Sequence, residues 1–145
     1  MVTDTRLRDK LRKIEALFAG AGTLGERDAA EAALGRIRAR LAEEGRRESP
    51  TEMQFSIADP WARLLFMALC RRYGLAPYRH HRQRRTTVMV RLPRSFMETV
   101  LWPEFRQLEA ELRSYLQEVT ERLIRDEVFS DTSDAPEVPQ ALPAR

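Results

Sequence analysis

His80 and His81 stand side by side in a chain that has no other histidine, and Arg79, Arg82, Arg84 and Arg85 surround them. Paired imidazoles raise the question of a metal centre. The spacing argues against one, because neighbours in a strand point to opposite faces and no cysteine or carboxylate lies close in sequence to complete a ligand set. Cys70 sits between Leu69 and Arg71 in an apolar run. That setting suits packing, since a reactive thiol needs a base or resolving partner beside it, and a single cysteine excludes an internal disulfide. Ser56 and Ser95 have no serine, histidine and aspartate setting, and Gly20, Gly22 and Gly25 match neither phosphate-cradling spacing. With no catalytic motif and no cofactor signature, the chain reads as a non-enzymatic protein.

The chemistry left is that of charge. From Pro60 to Met97 the chain carries nine arginines (Arg63, Arg71, Arg72, Arg79, Arg82, Arg84, Arg85, Arg91, Arg94), both histidines and no Asp or Glu. The 145 residues contain 25 basic and 22 acidic side chains, so the rest of the chain holds 16 against 22. A one-sign field of this kind attracts polyanions or an acidic partner surface. Lys10 and Lys13 are the only lysines. Arginine keeps its charge and grips phosphate or carboxylate with a planar fork, although a GC-rich genome produces the same bias.

The elements that must position this segment follow from periodicity. Leu7, Leu11, Ile14, Leu17 and Phe18 have helical spacing, and Gly20 and Gly22 end that helix. Thr23 and Glu26 have the spacing of a capping box for a second helix to about Glu43, with Ala30, Leu34, Ile37 and Leu41 as its stripe. The short connection predicts an antiparallel pair. Residues 44–51 read as a linker. Met53, Phe55 and Ile57 alternate with polar residues, which fits either an edge strand or an extended segment pinned by three side chains.

Asp59 and Pro60 predict a helix start, and Gly74 its end. Trp61, Leu64, Leu65, Phe66, Met67, Leu69 and Tyr73 surround most of that helix, predicting burial. Residues 75–92 read as a β-hairpin, with Pro77 restricting its first strand to an edge. Its second strand sets Thr86, Val88, Val90 and Leu92 on one face and Thr87, Met89 and Arg91 on the other. The tip would present His80, His81, Arg82, Arg84 and Arg85. Ser95 and Glu98 repeat the capping-box spacing, Trp102-Pro103 predicts a kink or a new helix, and Phe105 to Phe129 gives the longest helix. The width of its stripe favours packing within one chain over homodimerisation.

The expected fold class is therefore α+β, mostly helical. It divides into an N-terminal helical hairpin over 1–48, a unit over 49–129 with the buried helix, basic hairpin and long helix, and a disordered tail over 130–145. The amino terminus has no apolar signal core and no stretch is long enough to span a bilayer, so the expected location is cytoplasmic, and nucleoid-associated if the chain binds DNA.

Lys10-Leu-Arg-Lys-Ile-Glu-Ala-Leu17, the glycine-containing turn and Glu26-Arg-Asp-Ala-Ala-Glu-Ala-Ala-Leu34 resemble the N-terminal helical pair of the domain of unknown function 2786 family, found in bacteria and phages. Val100-Leu-Trp-Pro-Glu-Phe105 looks like the C-terminal extension such proteins carry. The resemblance covers the first third of the chain. It implies an α-rich prokaryotic or phage-related protein and transfers neither reaction nor site residues.

The basic segment leaves three readings. It binds nucleic acid, DNA before RNA, through Arg71, Arg72, Arg79, His80, His81, Arg82, Arg84, Arg85 and Arg91, with Tyr78 or a histidine stacking on bases. It docks on an acidic protein partner or on the acidic helices of a second copy in a homodimer. Or it is a solvated basic surface without specific use. A free basic face across Arg71, Arg79, Arg84 and Arg91 favours the first; burial of these arginines against Glu109, Glu111 or Glu118 removes it.

Overall fold

A computed structural model describes residues 24–141, with side chains from Asp28 onward. The helix expected over Arg6–Phe18, the antiparallel pairing and the Thr23–Glu26 capping box lie outside the described residues. Within them the fold is mostly helical α+β.

The first described helix, α1 (Leu24–Arg47), runs past Glu43 and through Gly45. Its last turns are laced by Arg40 to Glu44 at 2.9 Å and Arg46 to Glu43 at 2.6 Å. Such surface pairs contribute little, because water screens them. Burial of Leu34, Ile37 and Leu41 against the core anchors the helix more firmly. The expected linker therefore shrinks to 48–50.

The Met53 segment forms a strand, β1 (Thr51–Ser56), with Met53 and Phe55 buried and their neighbours exposed. Its antiparallel partner is β2 (Thr87–Leu92), in a register that sets Thr51 opposite Leu92 and Ser56 opposite Thr87. This corrects the pairing expected from sequence. Residues 75–86 supply no full strand and make a single bridge, Tyr78 to Met89, on the other edge of β2. Pro77 lacks a ladder donor. By contrast, β1 brings Met53 against Val90 and Phe55 against Val88, apolar pairs on one face that reward the long-range partner. β2 is also buried beyond the half expected, with only Arg91 exposed. The loop folds over its second face, where Gln83 Nε2 lies 3.5 Å from Met89 Sδ.

Between the strands lies α2 (Pro60–Arg72). Asp59 caps it by accepting the Trp61 N–H at 3.1 Å. At its end Gly74, with φ 78°, donates to Arg71 O at 3.0 Å while Leu75 N–H reaches Cys70 O at 2.9 Å, a closing pattern that needs the left-handed glycine. The expected all-round burial is corrected. Ala62, Leu65, Phe66, Leu69 and Cys70 face the core, whereas Trp61 is 60% and Leu64 56% exposed.

The long helix, α3, covers 94–128, 35 residues in all. It starts as α-helix (Arg94–Phe96), widens into a π turn (Met97–Leu101), continues as α-helix (Trp102–Leu123) and ends in a second π turn (Ile124–Val128). Pro103 has no N–H to donate and its ring crowds the carbonyl four residues back. The π turn, in which Trp102 N–H reaches Met97 O, carries the helix past it without a break. The start is capped in trans. Glu48 accepts the backbone N–H of Arg94 at 3.1 Å and of Ser95 at 3.4 Å, and the Ser95 hydroxyl donates to Glu44 at 3.2 Å. The expected box does not form, and Glu98 faces Arg94 at 3.9 Å instead.

The core closes where these elements meet. Phe66 packs on Phe55 and Phe105 with ring centroids 4.7 and 5.1 Å apart, and Trp102 stacks on Phe55 at 5.7 Å. Because α1 packs on this cluster too, residues on both sides of the expected boundary at 48 share one core. From 129 to 141 the chain has no helix or strand and is largely exposed. No helix among the described residues is long and apolar enough to cross a membrane.

Replacing Glu48 by Ala should lower the unfolding free energy by about 1 kcal/mol, the worth of a helix cap. Glu98→Ala should stay within about 0.5 kcal/mol of wild type, as surface changes do. Parallel urea titrations check which carboxylate caps α3.

Candidate nucleic-acid interface

Two consecutive turns shape the basic loop. Gln83 N–H donates to His80 O at 3.3 Å, and Thr87 N–H donates to Arg84 O at 3.0 Å. The Gln83 side chain closes the first turn by accepting His80 N–H at 2.8 Å. Arg79 holds the base of the loop, with Nε donating to Thr87 O at 2.8 Å and Nη2 to Arg85 O at 2.7 Å. A planar fork with parallel donors serves both carbonyls at once. Arg79, though still exposed, therefore fastens the loop through both carbonyls.

The corners of these turns carry His81, Arg82 and Arg85, all exposed, with Arg84 exposed between them. Arg82 has φ 67°. Glycine or asparagine normally takes that left-handed position in a turn, and a side chain there costs roughly 1 kcal/mol. Among the described residues no carboxylate pairs with Arg71, Arg82, Arg84 or Arg85.

The flank of the loop is different. Glu52 of β1 accepts a hydrogen bond from the Tyr78 hydroxyl, and His80 Nε2 lies 3.0 Å from the same oxygen. The Tyr78 and His80 rings meet edge to face at 5.4 Å. The Tyr78 bond, then the His80 contact, hold the Glu52 carboxyl below the usual range, while the carboxylate pushes the Tyr78 phenol up. Arg91 is the cross-strand neighbour of Glu52. The sequence segment free of acids is thus not a volume free of acids, since strand pairing delivers Glu52 to it. Nothing in local sequence could signal that contact.

At the end of α2 the exposed Arg71 turns to solvent. Arg72 is half-buried, and its carbonyl accepts Arg38 Nε at 2.9 Å. Burial holds the Glu104 carboxyl above its usual range, with the Arg72 charge pulling the other way, and Tyr73 donates its hydroxyl to that carboxylate. Of the nine residues expected at the interface, the loop gathers His81, Arg82, Arg84 and Arg85 at its tip. Arg79 is engaged by carbonyls and His80 by Glu52, and Arg91 stands opposite Glu52 across the ribbon.

Other chemistry finds less support in the geometry. Burial raises the Cys70 thiol to about 12, the opposite of activation. No group of three His, Cys, Asp or Glu among the described residues could hold a metal ion. An open groove of about 380 Å³ runs between the start of α2 and the second half of α3, but Asp59, Glu109 and Glu121 line it with Arg113. Glu109 pairs with Arg113 at 2.7 Å and Arg106 at 3.7 Å, not with the basic loop. Comparison with protein-family models, with curated proteins and with solved structures finds no match.

Arg82→Gly should raise the stability by about 0.5–1 kcal/mol, because it releases the left-handed strain, whereas Arg82→Ala should not. Thermal melts of both variants check this. Glu104→Gln keeps an acceptor for Tyr73 and removes a carboxyl whose raised folded value binds protons more tightly than in the unfolded chain. The stability supplied by Glu104 is full below the unfolded value and lost as pH rises through the folded one. The variant should therefore gain on wild type as pH rises from about 4 toward 7, read as the difference between paired denaturation curves.

Proposed function

We propose that this is a non-enzymatic nucleic-acid-binding protein, with DNA the expected ligand, whose double-turn loop contacts phosphates through Arg82, Arg84 and Arg85. The observation that carries the reading is the state of these three guanidinium groups: exposed, without a carboxylate partner among the described residues, and grouped at one tip. Their mutual repulsion is relieved only by water or by an anion. A backbone held in a costly conformation at Arg82 adds to this, because local strain of that kind concentrates at functional sites. Arg79 and His80 then act by fixing the loop, and Arg71 extends the positive surface at the end of α2. The helical, prokaryotic or phage-related character implied by the resemblance agrees with such a role without specifying it.

Affinity for labelled duplex and single-stranded DNA should be measured over a salt series, beside a variant with Arg82, Arg84 and Arg85 changed to alanine. Wild-type affinity should fall steeply with salt. The slope of the variant should be shallower by about one unit for each phosphate it no longer neutralises. If wild type binds neither form at low salt, the reading is wrong, and an acidic protein surface becomes the partner to seek.

A further inference from the structure

The pairing of β1 with β2 brings a second feature to the loop's end of the ribbon. Ile57 N–H donates to Thr86 O at 2.8 Å, so the chain leaves β1 beside the residue that follows Arg85. Only four residues later comes Trp61, a separation of at most about 14 Å of chain. Arg63 keeps the intervening turn folded back, with Nη1 donating to Ile57 O at 3.1 Å. Trp61 is 60% exposed, and Leu64, one turn on along the same face of α2, is 56% exposed. Trp102, in contrast, is partly buried and stacks on Phe55 at the edge of the core.

An exposed indole within about 14 Å of chain from the strand end that meets the basic loop offers a stacking platform, and the exposed loop arginines offer the cationic contacts, the two components of single-strand recognition. Tyr78 and His80 cannot supply the platform, because each is held by Glu52 and by the other's ring. The carboxylate closest in sequence is Asp59, which is turned to the Trp61 N–H as the cap of α2. Its charge is countered there by the positive end of the helix dipole.

Building on the proposed function, we propose that the ligand is single-stranded, with one base stacked on Trp61 and the adjoining phosphates held by Arg84 and Arg85. Duplex DNA keeps its bases stacked on one another and offers none to the indole. Leu64 extends the apolar surface toward the sugar and the next base. Stacking is tolerant of sequence because every base has a π face, so the site discriminates strandedness rather than sequence.

The test titrates short oligothymidylate, oligouridylate and a duplex of equal length into wild type, Trp61→Ala and Trp61→Phe, following both affinity and tryptophan emission. Trp61 is exposed, so its replacement should leave the fold intact, and an unchanged thermal melt checks that. The expected result is tighter binding of a single strand than of duplex, with quenched emission. Trp61→Ala should weaken single-strand binding roughly five- to hundred-fold, Trp61→Phe should recover part of it, and neither variant should show the quenching. Oligothymidylate and oligouridylate separate DNA from RNA, and Trp61-dependent binding of either supports the proposal. Salt-dependent binding that is equal in Trp61→Ala and unaccompanied by quenching overturns the stacking site while leaving the phosphate-contacting loop in place. Absence of binding to all three probes overturns both.

Discussion

The register between β1 and β2 is the constraint from which the remaining arrangement follows. It places Met53 and Phe55 beside Val90 and Val88 on one face, and that face needs a cover. A two-stranded ribbon is marginal in water without one. α2 and the first turns of α3 supply it through Phe66, Trp102 and Phe105, whose rings lie within packing distance of Phe55 or of each other. A slip of one residue would turn the apolar set of β1 to the opposite face and remove its contact with α2. The same register also fixes the second face, where Glu52, Arg91 and Tyr78 meet.

The basic loop depends on this frame for its shape. Both edges of β2 are occupied, one by β1 and one by the Tyr78 bridge, so residues 80–86 must close within two turns. Closing them places Arg82 in the left-handed region and ties Arg79 to the carbonyls of Thr87 and Arg85. Arginines adjacent in sequence are thereby sorted by geometry. Some fasten the loop and others form an exposed cationic tip, although composition treats them alike.

Helix ends and helix defects are handled by partners at a distance. The α3 start receives its cap from Glu48, because Pro93 has no side-chain acceptor to offer, and the segment between α1 and β1 is short enough to keep that carboxylate within reach. Pro103 is absorbed by a π turn because Phe96, Leu101 and Phe105 on both sides of it are buried in the core. Their packing holds the helix together across the missing hydrogen bond.

Much of this was legible in the sequence. The period-two alternation of Met53, Phe55 and Ile57, the Asp59-Pro60 start, the Gly74 stop and the long stripe of α3 follow from local stereochemistry and side-chain polarity, and each forms where its residues stand. The concentration of arginines is likewise a property of the string itself. The tertiary structure alone decided which strand pairs with β2, that Glu52 enters the basic segment, that Glu48 rather than Glu98 caps α3, and that Trp61 stays in water while Phe66 does not. The physical reason is common to all four. Periodicity and capping chemistry act over one or two turns, whereas strand choice, trans capping and exposure are set by competition between distant segments for the same buried surface and the same backbone donors.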